Sequence, residues 1–275
     1  MSLDRREIPF LAAMLIPVFV VFATFFLLPM AKLIVVAGSG ENGMSEYLTV
    51  IRTPRHFESL VATVLLSAVT TLAALVISTI SGVFLERNRF RGREALISML
   101  TFPLAFPGVV IGFLVIMLAG RQGLAKEISM ALTGTRLVFA YSMAGLFVGY
   151  LYFSIPRVIL TLMAAAEKLD PALEEAARSL GASRWQVIRD VIVPALKPAL
   201  IASGAICFAT AMGAFGTAFT LATNIDVLPM TIYTEFTLNA NFATAAALSI
   251  MLGIITWIAL YIARSLAGST VAAAA

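Results

Sequence analysis

Charge is withheld from six long stretches of this chain. Residues 8–31, 59–85, 95–120, 137–156, 198–225 and 236–263 contain no Asp, Glu, Lys or Arg, in runs of 24, 27, 26, 20, 28 and 28 residues. A helix rises about 1.5 Å per residue, so about 20 apolar residues cross a hydrocarbon core of about 30 Å. The runs therefore predict six transmembrane helices, at about 9–36, 59–85, 95–119, 137–162, 199–223 and 240–264. A single such run could be a buried core helix. Six of them, in a chain with 60% apolar and only 12% charged residues, leave too little polar surface for a soluble fold. A membrane barrel is a poor fit, because barrel strands alternate over about 10 residues and these runs do not. The expected fold class is all-α and membrane-spanning, one transmembrane domain over 1–275.

The few isolated reactive side chains point to no chemistry. Cys207 lies inside the fifth run and is the chain's one cysteine, so it reads as a small packing residue. His56 sits in a polar segment beside Arg55 and Glu58 and is the one histidine, which predicts a surface or headgroup position and no metal site. The first run is too long for the 7–15-residue core of a signal peptide, despite Arg5 and Arg6 before it, and is expected to stay as a span.

The segments between runs differ in basic content. Arg5, Arg6, Arg87, Arg89, Arg91, Arg93, Arg157, Lys168, Arg178, Arg184, Arg189, Lys197 and Arg264 fall on one side; Lys32, Arg52, Arg55, Arg121, Lys126 and Arg136 fall on the other. The positive-inside rule then predicts both termini in the cytoplasm. The four arginines between Glu86 and Glu94 serve either as an anchor for topology and anionic headgroups or as a contact with a cytoplasmic protein. No single basic face with aromatic platforms is present, so nucleic acid is not an expected partner.

The longest inter-run segment, residues 157–197, is expected on the cytoplasmic side and carries two short helices, with the loop proper at 164–197. Asp170-Pro171 is a helix start, since Asp caps orphan N–H groups and Pro suits the first turn. Gly181 is a left-handed stop, and Ser183 with Gln186 forms a capping box for a second helix. Pro194 and Pro198 are expected to mark a turn into the fifth span. Leu180, Trp185 and Ile188 then lie on an apolar surface outside the bilayer, which suggests a protein partner.

Glu175-Ala176-Ala177, three residues, Gly181-Ala182, and later Val191-Ile192-Val193-Pro194 together resemble the EAA loop of bacterial ABC importer permeases. The family pattern ends Ile-x-Leu-Pro, so Val191 and Val193 are conservative departures. Six spans, with this loop before the penultimate one, resemble the type I importer permease fold over the whole chain. The resemblance implies a multi-pass bacterial inner-membrane subunit without catalytic residues of its own. It implies that Glu175, Ala176, Ala177, Leu180, Gly181, Ala182 and Pro194 couple to a separate ATP-binding-cassette ATPase dimer. It further implies a second permease subunit, identical or homologous, and a periplasmic or surface solute-binding protein. The sequence contains no Gly-x-x-x-x-Gly-Lys-Ser/Thr phosphate cradle, so no cofactor is expected in this chain, and ATP and magnesium would belong to the partner ATPase.

The solute pathway is expected where helices are interrupted. Pro107 and Gly108, with Pro103 and Gly112 nearby, interrupt the third run; Met212, Gly213, Phe215, Gly216 and Thr217 mark the fifth. Close helix packing is the competing account of these glycines, and the favoured one for Gly204. Tyr141, Tyr150 and Tyr152 read equally as pathway residues or interfacial anchors. The run Leu228-Pro229-Met230-Thr231-Ile232-Tyr233, in the outer segment that begins at Asn224, resembles spermidine/putrescine-type permeases, as does Arg89-Phe90-Arg91-Gly92. That likeness implies a polyamine-like or other small charged organic solute, with phosphonate or ferric iron as alternatives. The nearest acids to the outer end, Asp226 and Glu235, weaken the cation reading because none lies within the later runs. A secondary transporter or channel would need ionisable residues at membrane depth, and an intramembrane enzyme would need a nucleophile–base or His/Glu pair; neither pattern occurs.

Overall fold

A computed structural model describes residues 8–40, 43–221 and 225–267. Arg5, Arg6 and Asn224 lie outside the described residues. The described residues are helical throughout their regular elements, with no strand among them. Among the described residues, six helical stretches are long and apolar enough to cross a membrane: Ala13–Ala37, Pro54–Arg87, Gly108–Thr133, Met143–Glu167, Arg184–Met212 and Phe242–Ala267. The multi-pass all-α architecture expected from the charge-free runs is therefore present.

The chain divides into two compact units, one of Met1–Phe57 with Thr231–Met251 and one of Glu58–Met230 with Leu252–Ala275. In the first unit, α1 (Ile8–Phe22), a π-helical turn (Ala23–Leu27) and α2 (Leu28–Ala37) follow one another. Nearly every side chain from Ala13 to Met30 is exposed. The short α3 (Glu46–Arg52) leads to α4 (Pro54–Arg87), whose first turn belongs to this unit. Here His56 corrects the sequence reading. It is buried, and its Nε2 lies 3.3 Å from Glu235 Oε1, a residue 179 positions away. A local polar neighbourhood in sequence gave no sign of that distant partner.

The second unit is built on the remainder of α4, α5 (Arg93–Thr101), α6 (Gly108–Ala119), α7 (Leu124–Thr133), α8 (Met143–Glu167), α9 (Pro171–Ser179), α10 (Arg184–Val187), α11 (Val193–Met212) and α12 (Phe215–Leu221). The short α13 (Leu228–Tyr233) and α14 (Phe242–Ala267) complete the chain. Its main apolar cluster joins Leu66 of α4, Val115 of α6, Leu146 and Tyr150 of α8, Ala211 of α11 and Leu221 of α12. A lower cluster joins Ala74, Val158, Leu162 and Cys207, so the cysteine is a packing residue, 2% exposed. On α4 the buried face is lined by Ser59, Thr63, Ser67, Thr70, Thr71 and Ser78. Small hydroxyl residues let helix backbones approach closely inside a bilayer, and a Cβ added to Gly204 would stand 3.0 Å from Leu75 of α4. The packing account of Gly204 fits that contact.

Two of the expected spans are interrupted. Between α5 and α6 the chain forms a 3₁₀ turn (Phe102–Ala105) and then extends through Phe106 and Pro107, at ψ 133° and 151°. Pro103 and Pro107 supply no N–H, and Phe106 takes the extended backbone that a following proline favours, whereas Phe102 before Pro103 stays right-handed helical. Between α11 and α12 the helix ends at Gly213–Ala214.

Several boundaries differ from the sequence reading, the third span among them, expected at 95–119 and found at Gly108–Thr133. Helix α8 continues to Glu167, past the expected end of the fourth span at 162, and takes in Arg157, the residue that closes the charge-free run. Pro194 and Pro198 mark no turn: Arg184–Met212 is one continuous helical stretch. A π-helical turn (Ile188–Ile192), closed by the Val193 N–H on the Ile188 carbonyl, widens the helix just before Pro194 and accommodates its ring.

Candidate functional site

Two features of the second unit gather the residues singled out in the sequence. The first is a helix–turn–helix knob formed by α9, Gly181 and α10. Asp170 caps α9 by accepting from the Ala172 N–H at 2.9 Å. The helix then ends in a Schellman turn, in which the Ala182 N–H binds the Ala177 carbonyl at 3.1 Å and the Gly181 N–H binds that of Arg178 at 2.9 Å. Gly181 holds φ at +85°, which side chains rarely adopt. Ser183 and Gln186 form the reciprocal capping box at the start of α10, at 2.7 and 3.4 Å.

The knob is asymmetric. Ala177 and Ala182 turn inward onto a cluster of Ala166, Val187, Ile192 and Leu196. Leu180 is 90% exposed, and Leu173, Trp185 and Ile188 are also exposed. Glu175, Ala176 and Gly181 are exposed beside them. Pro194 is exposed but belongs to α11, beyond the π turn. The adjacent Glu174, unmarked by the pattern, is buried and pairs with Arg87 at 2.6 Å. The arginine segment after α4 is likewise turned partly inward, since Arg93 is 7% exposed.

The second feature is a cavity of about 280 Å³ between the two helix breaks. Gly108, Gly213, Gly216 and Thr217 line it, as expected from the interruptions, together with Pro103 and Phe106. Pro107 and Phe215 are not among its walls, and Met212 is fully buried in the packing behind. Both accounts of these glycines hold at once. A Cβ on Gly108 would stand 3.1 Å from the Thr217 nitrogen, and one on Gly216 would stand 3.0 Å from the Val109 nitrogen. The two broken spans thus touch backbone to backbone where they border the cavity. Thr217 donates to the Gly108 carbonyl at 3.0 Å and fixes that crossing.

Sequence reasoning missed the cavity's one charged wall residue, Arg157. Its Nη1 donates to Thr210 Oγ1 at 2.9 Å, and Thr210 in turn donates to the Ile206 carbonyl at 2.7 Å. The arginine stands about 21 Å along α8, a helix of 25 residues. A charge at that depth was a legible signal, obscured because it had served to end a charge-free run. Among the wall residues there is no carboxylate. Tyr150 is neither pathway nor anchor: it is 1% exposed and its hydroxyl donates to the Ala214 carbonyl at 2.8 Å, closing the break between α11 and α12. Tyr141 lies under Arg121, whose guanidinium carbon is 5.9 Å from the ring centre, and Tyr152 is part exposed. No group of three or more metal-ligating side chains occurs among the described residues.

Comparison with known proteins agrees with this architecture. Residues 74–269 match the family described as binding-protein-dependent transport system inner membrane component. Over 215 residues the chain is 32% identical to sulfate permease 2 of the Chlamydomonas reinhardtii chloroplast, covering 76% of this chain but only 58% of that protein. It is 33% identical over 212 residues to the molybdenum transport system permease protein ModB of Escherichia coli, covering 74% of this chain and 92% of that one. A solved bacterial alginate ABC transporter, in complex with a pentasaccharide-bound periplasmic protein, superimposes with a TM-score of 0.81 at 19% identity, over 96% of this chain and 95% of that one. The chain belongs to the binding-protein-dependent transport system inner membrane component family, and is a non-catalytic, multi-pass inner-membrane permease subunit of an ABC importer with the type I fold.

Proposed function

We propose that this chain forms half of the pathway for a small oxyanion and is driven by a separate ATPase that seats on the α9–Gly181–α10 knob. The observation that carries the substrate class is Arg157, the one charged side chain on the walls of a cavity that contains no carboxylate. An ionised group at membrane depth is costly unless it serves a pathway or a partner. Its guanidinium already spends one donor on Thr210 and keeps further N–H groups for a planar or tetrahedral anion. The names of the sulfate and molybdenum permeases among its relatives point the same way. A polyamine-like cation, the solute suggested by Leu228–Tyr233, would meet Arg157 as like charge.

Exposure of Leu180, Trp185 and Leu173 supports the coupling half of the reading, with Glu175 offering a free-standing carboxylate at the knob's edge. Ala176 leaves the helix flat there, and Gly181 turns the chain without a side chain in the way. The basic bias of the segments supports a cytoplasmic position for this knob and both termini, and an outer position for Asp226 and the start of α13, toward a solute-binding protein. A second permease subunit, identical or homologous, would supply the other half of the pathway.

The test is reconstitution in liposomes with the ATPase, second permease subunit and binding protein that accompany this chain, followed by uptake of sulfate, molybdate, a phosphonate, ferric iron and putrescine. Oxyanion uptake that requires ATP, and falls about tenfold or more in Arg157→Gln while Arg157→Lys retains part of it, is the expected result. Putrescine or ferric uptake would overturn the substrate class. Uptake by this chain alone without ATP would overturn the importer reading.

A further inference from the structure

The carboxylate that the knob buries is not the one its sequence pattern marks. Glu175 is exposed, whereas the Glu174 side chain is 11% exposed and lies 2.6 Å from Arg87, the last residue of α4. Its second oxygen lies 3.2 Å from Arg178, one turn further along α9. Helix α9 is therefore tied to the second span by charge attraction, with no aligned hydrogen bond between Arg87 Nη2 and Glu174 Oε1, and is not held by its own loop and apolar underside alone.

Fixed contacts continue from that point. Arg93 opens α5 and is buried against the end of α4. Its Nε donates to the Leu85 carbonyl at 2.7 Å, Nη2 to Glu86 at 3.2 Å and Nη1 to Glu94 at 2.5 Å. Three acceptors on two helices lock the turn between them, and Leu85 packs in one cluster with Ile97 and Leu100 of α5. From α5 the chain passes directly into the 3₁₀ turn, where Pro103 and Leu104 form part of the cavity wall.

We propose that the Glu174–Arg87 pair is a strut that transmits displacement of α9 to α4 and, through Arg93, to α5 and the cavity wall. Glu174 is then a positioning residue for transport and makes no contact with the ATPase. The inference rests on the coupling reading above. The physical ground is that a desolvated ion pair resists separation, since parting it strands a buried charge. The apolar contacts of Ala177 and Ala182 can slide; two opposite charges held this close cannot be drawn apart without leaving each largely buried and uncompensated.

The experiment uses the full-length chain assembled with its ATPase, second permease subunit and binding protein in liposomes. Glu174→Gln and Arg87→Gln are each expected to retain the ATPase and its basal hydrolysis while losing about tenfold of solute-stimulated hydrolysis and uptake. The double variant should be no worse than either single one, and Arg87→Lys should retain most of the coupling, because the charge survives. Unchanged uptake in Glu174→Gln would overturn the strut. So would loss of the ATPase from that variant, which would make Glu174 a docking or folding contact, and so would additive losses in the double variant. If the unmutated chain retains no ATPase at all, the coupling reading falls first and the strut with it.

Discussion

Gly181 holds a left-handed backbone at φ +85° with no atom near the place a Cβ would occupy. Substitution there is therefore a matter of conformation and not of collision. Valine, whose branched side chain fits this region badly, is expected to destabilise the turn by about 1–2 kcal/mol, and asparagine by clearly less. Co-purification should show the same order: the valine variant inserts into the membrane but loses its ATPase, while the asparagine variant keeps most of it. Retention by both would remove Gly181 from the coupling residues. Tyr150→Phe tests the other end of the unit. It deletes only the hydroxyl that binds the Ala214 carbonyl and should lower stability by about 1 kcal/mol in a thermal melt in detergent. These two residues were not equally legible. Gly181 announces itself by its place between two cap signals. Tyr150, Arg157 and His56 depend on partners 64, 53 and 179 positions away, which no local pattern carries.

At the scale of elements, the crossing of α6, α8 and α12 is a contact among glycines and two threonines, Thr217 and Thr220. A Cβ on Gly149 would stand 2.7 Å from Thr217 Cγ2. Gly149→Ala is thus expected to cost about 1–3 kcal/mol by overpacking. Thr217→Ser removes the offending methyl and keeps the hydroxyl for the Gly108 carbonyl, so the double variant should recover most of that loss. A double variant no more stable than Gly149→Ala alone would place the strain elsewhere. The breaks that create this crossing were readable where proline removes a donor next to extended backbone, as at Pro107. The same rule misled at Pro194, because a π turn upstream gave the ring room and the helix ran on, and at Pro198, which stands inside the α-helix with no such turn beside it. Proline forbids one hydrogen bond; whether the chain bends or widens depends on what packs beside it.

For the whole molecule the open quantity is sidedness. Charge bias sets it by a count of basic residues, and labelling tests it directly. In right-side-out vesicles, Asp226→Cys is expected to react with an impermeant maleimide, and Leu180→Cys to react only after permeabilisation. Cys207 is 2% exposed, so the background should be low. The reverse pattern would invert the topology and move the knob to the outside. The number of spans was legible from charge alone, since each run must match the bilayer. The path between them was not, since apolar runs say how far a helix extends but not which neighbour it meets.

The unbroken rod from Arg184 to Met212 has a mechanical reading. It reaches from the knob to the cavity as one helical stretch, and at Gly204 it packs against α4, where an added Cβ would stand 3.0 Å from Leu75. Taken as a fulcrum, that point leaves an arm of about 30 Å toward Arg184 and about 12 Å toward Met212. Such a lever gears motion down by about two and a half. A swing of about 5 Å at the docking end would arrive at Gly213 as about 2 Å, with proportionally greater force. That is a small, forceful step, suited to parting two backbones that touch at Gly108 and Gly216.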